Sequence, residues 1–166
     1  MTDAQQKAAA KQFVKDWTGH GDEKQETQRF WMALLQKVYG VAEPDKAIEF
    51  EVRVKLDHTS FIDGYIKDTH VLIEQKGMDV SLSKSYRQSD GSMLTPFQQA
   101  RRYGGLLPHS MNPRWIVVCN FREFRIHDMN NPHAEPYILY LEDLEKEYSR
   151  LNFLVNTGSE NLKREM

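Results

Sequence analysis

The sequence predicts a mixed α/β domain, a central β-sheet with helices on it, and three observations lead there. Two helical patterns open the chain, a period-two alternation replaces them after Pro44, and two more strand patterns follow a further helix. The resulting order is α-α-β-β-β-α-β-β-α, which a mixed sheet can accommodate with helices packed on its faces. A chain of 166 residues is long enough for one sizeable core and too short for two comfortable ones.

Residues 3–17 are rich in Ala, Gln and Lys, with Phe13, Val14 and Trp17 on one side, and stop at Thr18-Gly19-His20-Gly21, so they read as an amphipathic helix. From Asp22, residues Phe30, Trp31, Leu34, Leu35 and Val38 recur at helical spacing up to Gly40. Asp22, Glu23 and Glu26 sit in the first turns, where the helix dipole favours acids. One long helix is expected there. In the next segment Ile48, Phe50, Val52 and Val54 alternate with Glu49, Glu51, Arg53 and Lys55, the mark of a strand with one wet face at or near an edge. Residues 61–66 and 71–76 are two further strands, and the four polar residues 67–70 between them suit a hairpin. Residues 77–93 form a long polar loop, a length that in compact domains often carries function. Thr95 as N-cap and Pro96 at the first helical position open a helix to about Leu107. Residues 114–120 read as a buried strand, 121–128 as its neighbour, and 141–154 as a closing helix.

Composition removes several function classes. Lys and Arg total 22 against 24 Asp and Glu, a net charge of -2 with 40% apolar residues. A disordered polyelectrolyte and a wholly basic nucleic-acid coat are both excluded, and any nucleic-acid contact must use a local patch. The apolar run Trp115 to Cys119 falls far short of the roughly 20 residues a membrane span needs. The start MTDAQQKAAAK has no apolar signal core. The single cysteine, Cys119, precludes an internal disulfide and suits a reducing cytoplasm as an inert core thiol. None of the six histidines pairs at i, i+4 spacing, and no Gly-rich phosphate loop is present, so neither a zinc site nor ATP binding is expected.

The strongest candidate for chemistry is Asp63 together with Glu74-Gln75-Lys76. Acid-x-Lys triplets are too common for their count to decide anything, and a second one, Asp22-Glu23-Lys24, sits at a helix start where charges need no explanation. Context distinguishes the two, because Glu74-Gln75-Lys76 ends the apolar strand Val71-Leu72-Ile73. Side chains alternate across a strand, so Glu74 and Lys76 share a face and Asp63 can meet them from the neighbouring strand. Two carboxylates brought together need a cation, and Mg²⁺ takes oxygen ligands from one or two carboxylates plus substrate phosphate. Beside such an ion Lys76 could orient or deprotonate a water, the chemistry of phosphodiester hydrolysis. A cross-strand salt bridge at a wet strand end is the plainer alternative.

This arrangement, followed by a helix bearing Gln99-Ala100-Arg101-Arg102-Tyr103, resembles the PD-(D/E)xK nuclease superfamily, and Gln-x-x-x-Tyr resembles its RecB-like branch. Residues 21–31, 50–66, 71–77, 89–103 and 113–129 look like the amino-terminal endonuclease region of type IIL, MmeI-like fused restriction-modification enzymes, a resemblance covering residues 12–155. It implies a restriction-endonuclease-like fold, a mixed central sheet flanked by helices. It further implies catalytic Asp63, Glu74 and Lys76, with Asp63 and Glu74 holding Mg²⁺, or Mn²⁺ in its place. The substrate is then double-stranded DNA, with methyltransferase and target-recognition domains covalently linked but outside this chain. Ile62 stands where the superfamily name has proline. The nuclease domain is expected over 1–155, with 156–166 a polar tail or the start of a linker.

Secondary candidates are Glu26 as an accessory helix acid and Gln99 and Tyr103, four apart on one helix face, as holders of active-site groups or a phosphate. Lys84, Arg87, Arg101 and Arg102 flank the site and could contact DNA phosphates. Helix-dipole compensation for Glu26, packing for Tyr103 and a solvated surface for the four cations are the plainer readings. Glu51 is read as part of a solvated strand face. Two rivals to a nuclease remain: a catalytically silent DNA-binding or scaffolding module on the same fold, and an unrelated interaction domain.

Overall fold

The three-stranded meander expected after Pro44 forms as β1 (Ile48–Lys55), β2 (Thr59–Ile66) and β3 (Val71–Gln75), paired antiparallel in sequence order. A computed structural model describes residues 1–55 and 59–156 of the chain. β3 then pairs in parallel with β6 (Trp115–Cys119), which is followed by antiparallel β7 (Glu123–Asp128) and β8 (Tyr137–Tyr140). The result is a six-stranded mixed sheet in the order β1-β2-β3-β6-β7-β8, flanked by helices, the restriction-endonuclease-like architecture that was expected. Among the described residues, no helix is long and apolar enough to cross a membrane.

Alternation along the two central strands builds the core on both faces. Val71, Ile73, Val117 and Cys119 point to one side, Leu72, Ile116 and Val118 to the other. The first side is covered by α1 (Asp3–Trp17), α2 (Glu23–Ala33) and the carboxy-terminal segment, through an aromatic cluster of Phe13, Trp17, Phe30, Trp31, Phe121 and Phe124. The second is covered by α4 (Pro96–Gly104), through Ala100, and by Leu82 of the preceding loop. Capping fixes where the helices begin. Thr2 and Gln5 exchange hydrogen bonds at the start of α1, Thr95 and Gln98 do the same at α4, and the Asp22 carboxylate accepts from the Lys24 and Gln25 amides at α2.

Several expectations are corrected. The second helix does not run regularly to Val38; after Ala33 it widens into one π-helical turn, Leu34–Val38, which sends Leu34, Leu35 and Val38 all into the core. The closing segment is not a continuous helix. It is a 3₁₀ turn at Leu141–Asp143, the short α5 (Leu144–Glu147) and a 3₁₀ stretch at Tyr148–Leu154, a path that buries Leu141, Leu144, Leu151 and Leu154. Strand β8 and the one-turn α3 (Pro44–Ala47) are absent from the sequence-based order. The long loop holds a small hairpin of its own, β4 (Tyr86–Arg87) with β5 (Met93–Leu94). Apart from Asn156, the tail expected at 156–166 lies outside the described residues.

Candidate active site

The strands β2 and β3 separate at one point. Their ladder covers Gly64↔Ile73, Tyr65↔Leu72 and Ile66↔Val71 and stops there, while β3 continues to Gln75 against β6. The Asp63 side chain fills the gap: its Oδ2 accepts from the Gln75 amide at 2.7 Å, replacing the strand bond that is missing. Alternation then sorts the triplet. Glu74 and Lys76 share the face of Leu72, toward α4, and Gln75 shares the face of Ile73, toward α2.

Gln75 is fully buried and acts as a clamp. Its Oε1 accepts from Trp31 Nε1 at 2.7 Å and its Nε2 donates to the Lys76 carbonyl at 3.1 Å, while the Lys76 amide donates to the Cys119 carbonyl at 2.8 Å. On the opposite face, Lys76 Nζ lies 3.0 Å from Glu74 Oε1 and donates to Gln99 Oε1 at 2.9 Å; Gln99 Nε2 in turn donates to the Tyr103 hydroxyl at 3.3 Å. Asp63, Glu74, Lys76, Gln99 and Tyr103 therefore lie in one place.

The electrostatics of the site are unbalanced. Glu74 is 3% exposed, and its second oxygen, Oε2, is buried with no hydrogen-bond partner. Burial pushes its pKa upward and the Asp63 charge adds to that, outweighing the Lys76 ion pair. Asp63 is also raised, by burial first, against the lowering effect of the Gln75 amide and the Lys76 charge. For Lys76 the attraction of the surrounding acids exceeds the effect of burial, so its pKa moves up and it stays an ammonium. A buried carboxylate oxygen without a donor costs on the order of several kcal/mol. A proton on Glu74 or a bound hard cation would each relieve it. Among the described residues no set of three or more His, Cys, Asp or Glu gathers as metal ligands. An ion here would rest on two carboxylates and complete its shell with water or substrate oxygens, a pattern Mg²⁺ accepts.

The helix acid that reaches this site is one turn away from the one expected. Glu26 bonds to its own helix start, accepting from the Gly21 and Asp22 amides at 3.3 and 3.1 Å and pairing with His20 and Arg29. These amides, Asp22 first, hold its pKa below the usual value. Glu23 is the acid whose charge bears on Asp63, Glu74 and Lys76. Trp31 carries the signal that was missed: the indole touching Gln75 marks the face of α2 toward β3, and positions four and eight residues earlier, Thr27 and Glu23, lie on that face. Close approach at Gly21 brings the helix start in, because the Met78 amide donates to the Gly21 carbonyl at 3.1 Å and a Cβ on Gly21 would meet Met78 Cβ at 2.4 Å. Glu51 falls in the unpaired step of β1 between Phe50↔Gly64 and Val52↔Ile62, has a left-handed backbone with φ of 53°, and adds its charge to Asp63. Non-glycine residues in that conformation gather at functional sites.

Of the four candidate DNA-contacting cations, Lys84, Arg87 and Arg101 are exposed. Arg102 is not free, since it pairs with Asp90 at 2.7 Å and thereby pins the β4–β5 hairpin to α4, one turn from Gln99.

A family model described as the N-terminal domain of MmeI matches residues 8–166. No curated protein and no solved structure gives a significant match.

Proposed function

Since the chain belongs to the family of the N-terminal domain of MmeI, a restriction enzyme, we propose that it is the divalent-metal-dependent nuclease module of a larger restriction-modification protein and hydrolyses phosphodiester bonds in double-stranded DNA. The observation that carries this reading is Glu74 Oε2, buried and unpartnered beside a second raised carboxylate. A silent scaffold has no use for that arrangement. Asp63 and Glu74 would hold Mg²⁺, or Mn²⁺ in its place, and the ion would supply charge neutralisation at the phosphoryl oxygens.

The chain's own groups do the rest. Lys76 has three N–H donors, of which Glu74 Oε1 and Gln99 Oε1 occupy two. The third is available to a water or a phosphate oxygen. Because Lys76 keeps its proton, its part is to orient the attacking water and offset charge on the phosphate. The new bond joins water oxygen to phosphorus as that water gives up a proton to solvent, the bond to the leaving oxygen breaks, and the leaving oxygen takes up a proton from solvent. Gln99, steadied by Tyr103, fixes the ammonium against rotation. Exposed Lys84, Arg87 and Arg101 supply phosphate contacts from the loop and from α4.

Nicking of supercoiled plasmid by the full-length enzyme tests this. Lys76→Ala should lower cleavage by about 10²–10⁴ with DNA binding nearly intact, the effect of losing one positioned group. Wild-type nicking by that variant would sink the mechanism.

A further inference from the structure

The ribbon formed by β1 and β2 extends past the point where β3 leaves it. β3 pairs with β2 only through Gly64, Tyr65 and Ile66, whereas β1 follows β2 as far as the Lys55↔Thr59 pair. Burial alternates along this free part: Val52, Val54, Ser60 and Ile62 are buried, and Arg53, Lys55, Thr59 and Phe61 are exposed. The half-buried Asp63 lies two residues beyond Phe61 on β2, directly before Gly64 where the pairing with β3 begins, so the free part of the ribbon ends next to the candidate active site. Residues directly opposite share a face, which places Arg53 beside Phe61 and Lys55 beside Thr59. At about 3.3 Å per residue, Phe61 is roughly 7 Å and Thr59 roughly 13 Å from Asp63 along the strand. The longer distance corresponds to about four base-pair steps of DNA.

Two further properties single out this face. Phe61 is 52% exposed, the most exposed aromatic side chain among the described residues with large exposed apolar groups. Neither Arg53 nor Lys55 forms an ion pair among the described residues. A protein partner that covered Phe61 would also have to desolvate two unpaired cations beside it, at a cost of several kcal/mol. A polyanion neutralises them on contact.

We propose that the outer face of the β1–β2 ribbon is the track along which duplex DNA enters the active site. Arg53 and Lys55 take successive phosphates, and Phe61 packs its ring against sugars and base edges in the minor groove, as apolar wedges do in other groove-binding proteins. The track rests on the nuclease reading above for its direction, since the scissile phosphate lies at its Asp63 end. That end is acidic, with Glu51 in the unpaired step between Phe50↔Gly64 and Val52↔Ile62, beside Asp63. A divalent ion should therefore strengthen DNA binding as well as permit cleavage.

Fluorescence anisotropy with a labelled duplex of about 30 base pairs, in Ca²⁺ at low salt, tests the track. Arg53→Ala and Lys55→Ala should each weaken binding about 3–10-fold and each reduce the slope of log affinity against log salt by about one. Phe61→Ala should weaken binding by a similar factor with the slope unchanged, because the lost contact is apolar. Lys7→Ala on α1 serves as the control for general charge and should bind as wild type. All four positions are exposed, so melting temperatures should stay level. Wild-type affinity and slope in both Arg53→Ala and Lys55→Ala would overturn the track. Titration calorimetry of Asp63→Asn with Mn²⁺ keeps the two readings apart. Retained Mn²⁺ binding together with lost DNA binding in the ribbon variants would remove the metal site and leave the track standing.

Discussion

Glu74 ties the chemistry of the site to pH. Its folded-state pKa lies above its unfolded value, and so does that of Asp63, so the folded chain keeps protons that the unfolded chain releases. In the metal-free protein these two groups therefore favour folding most at acid pH. Their contribution declines as pH rises from about 4, where the unfolded carboxylates ionise, through the higher folded-state values. A divalent ion held by these carboxylates would select the ionised forms, so its affinity would run the other way and climb over the same window. Calorimetry at pH 6, 7 and 8 in buffers of different ionisation enthalpy should show Mn²⁺ binding tighten with pH and release protons. A dissociation constant independent of pH, with no proton release, would mean the ion sits elsewhere. The raised Lys76 pKa acts only in the alkaline range, where its stabilising pair with Glu74 is lost as the ammonium deprotonates.

At the level of elements, the site depends on α2 lying close against the turn after β3. Gly21→Ala would drive a Cβ into Met78 Cβ, which belongs to a residue whose backbone is itself hydrogen-bonded to Gly21, so the helix start must move. The expected cost is about 1–3 kcal/mol, seen as a lower melting temperature, together with weaker Mn²⁺ binding as Glu23 and the Trp31–Gln75 bond shift. An unchanged melting temperature would show that the helix start yields freely.

This dependence also explains what the sequence could reveal. The strand at 48–55 follows from a two-residue period and the one at 71–75 from a short apolar run, and the shared face of Glu74 and Lys76 follows from the alternation the strand backbone imposes locally. The choice of Glu23 over Glu26 follows from the phase of α2 against β3, which is a tertiary fact, and so does the engagement of Gln75 with Trp31. Arg102 looked like a free cation because its partner, Asp90, reaches it only through the hairpin folding back. β8 carries little signal in the sequence because it is four residues long and begins directly after Pro136. The closing segment departs from the helix its spacing predicts: Leu141, Leu144, Leu151 and Leu154 suit a helix, but only Leu144–Glu147 is α-helical and its flanks form tighter 3₁₀ turns.

For the whole molecule, a net charge of -2 limits how tightly the chain can hold a polyanion unaided. Affinity must come from local cations, and non-specific binding at physiological salt should fall in the weak range, with dissociation constants of about 10⁻⁴–10⁻⁶ M. Within a restriction-modification protein, other domains that grip the duplex would raise the effective DNA concentration at this one by tethering. Cleavage should accordingly be strong in the full-length enzyme and slow or absent in residues 1–166 alone. Matched assays of the two forms on one plasmid decide this, and equal rates would show that the module needs no such help.

The gap between β2 and β3 has an evolutionary corollary. Asp63 is at once a proposed ligand and the acceptor that stands in for a missing rung of the sheet. Replacing it with alanine would silence chemistry and also orphan a backbone donor next to the central strand, whereas asparagine would keep an acceptor in place. If Asp63 is a metal ligand, asparagine is therefore the replacement that would remove cleavage at least cost to the fold, while most other side chains would penalise the sheet as well. On the nuclease reading, alanine at this position would touch both the metal site and the sheet, and asparagine the metal site alone.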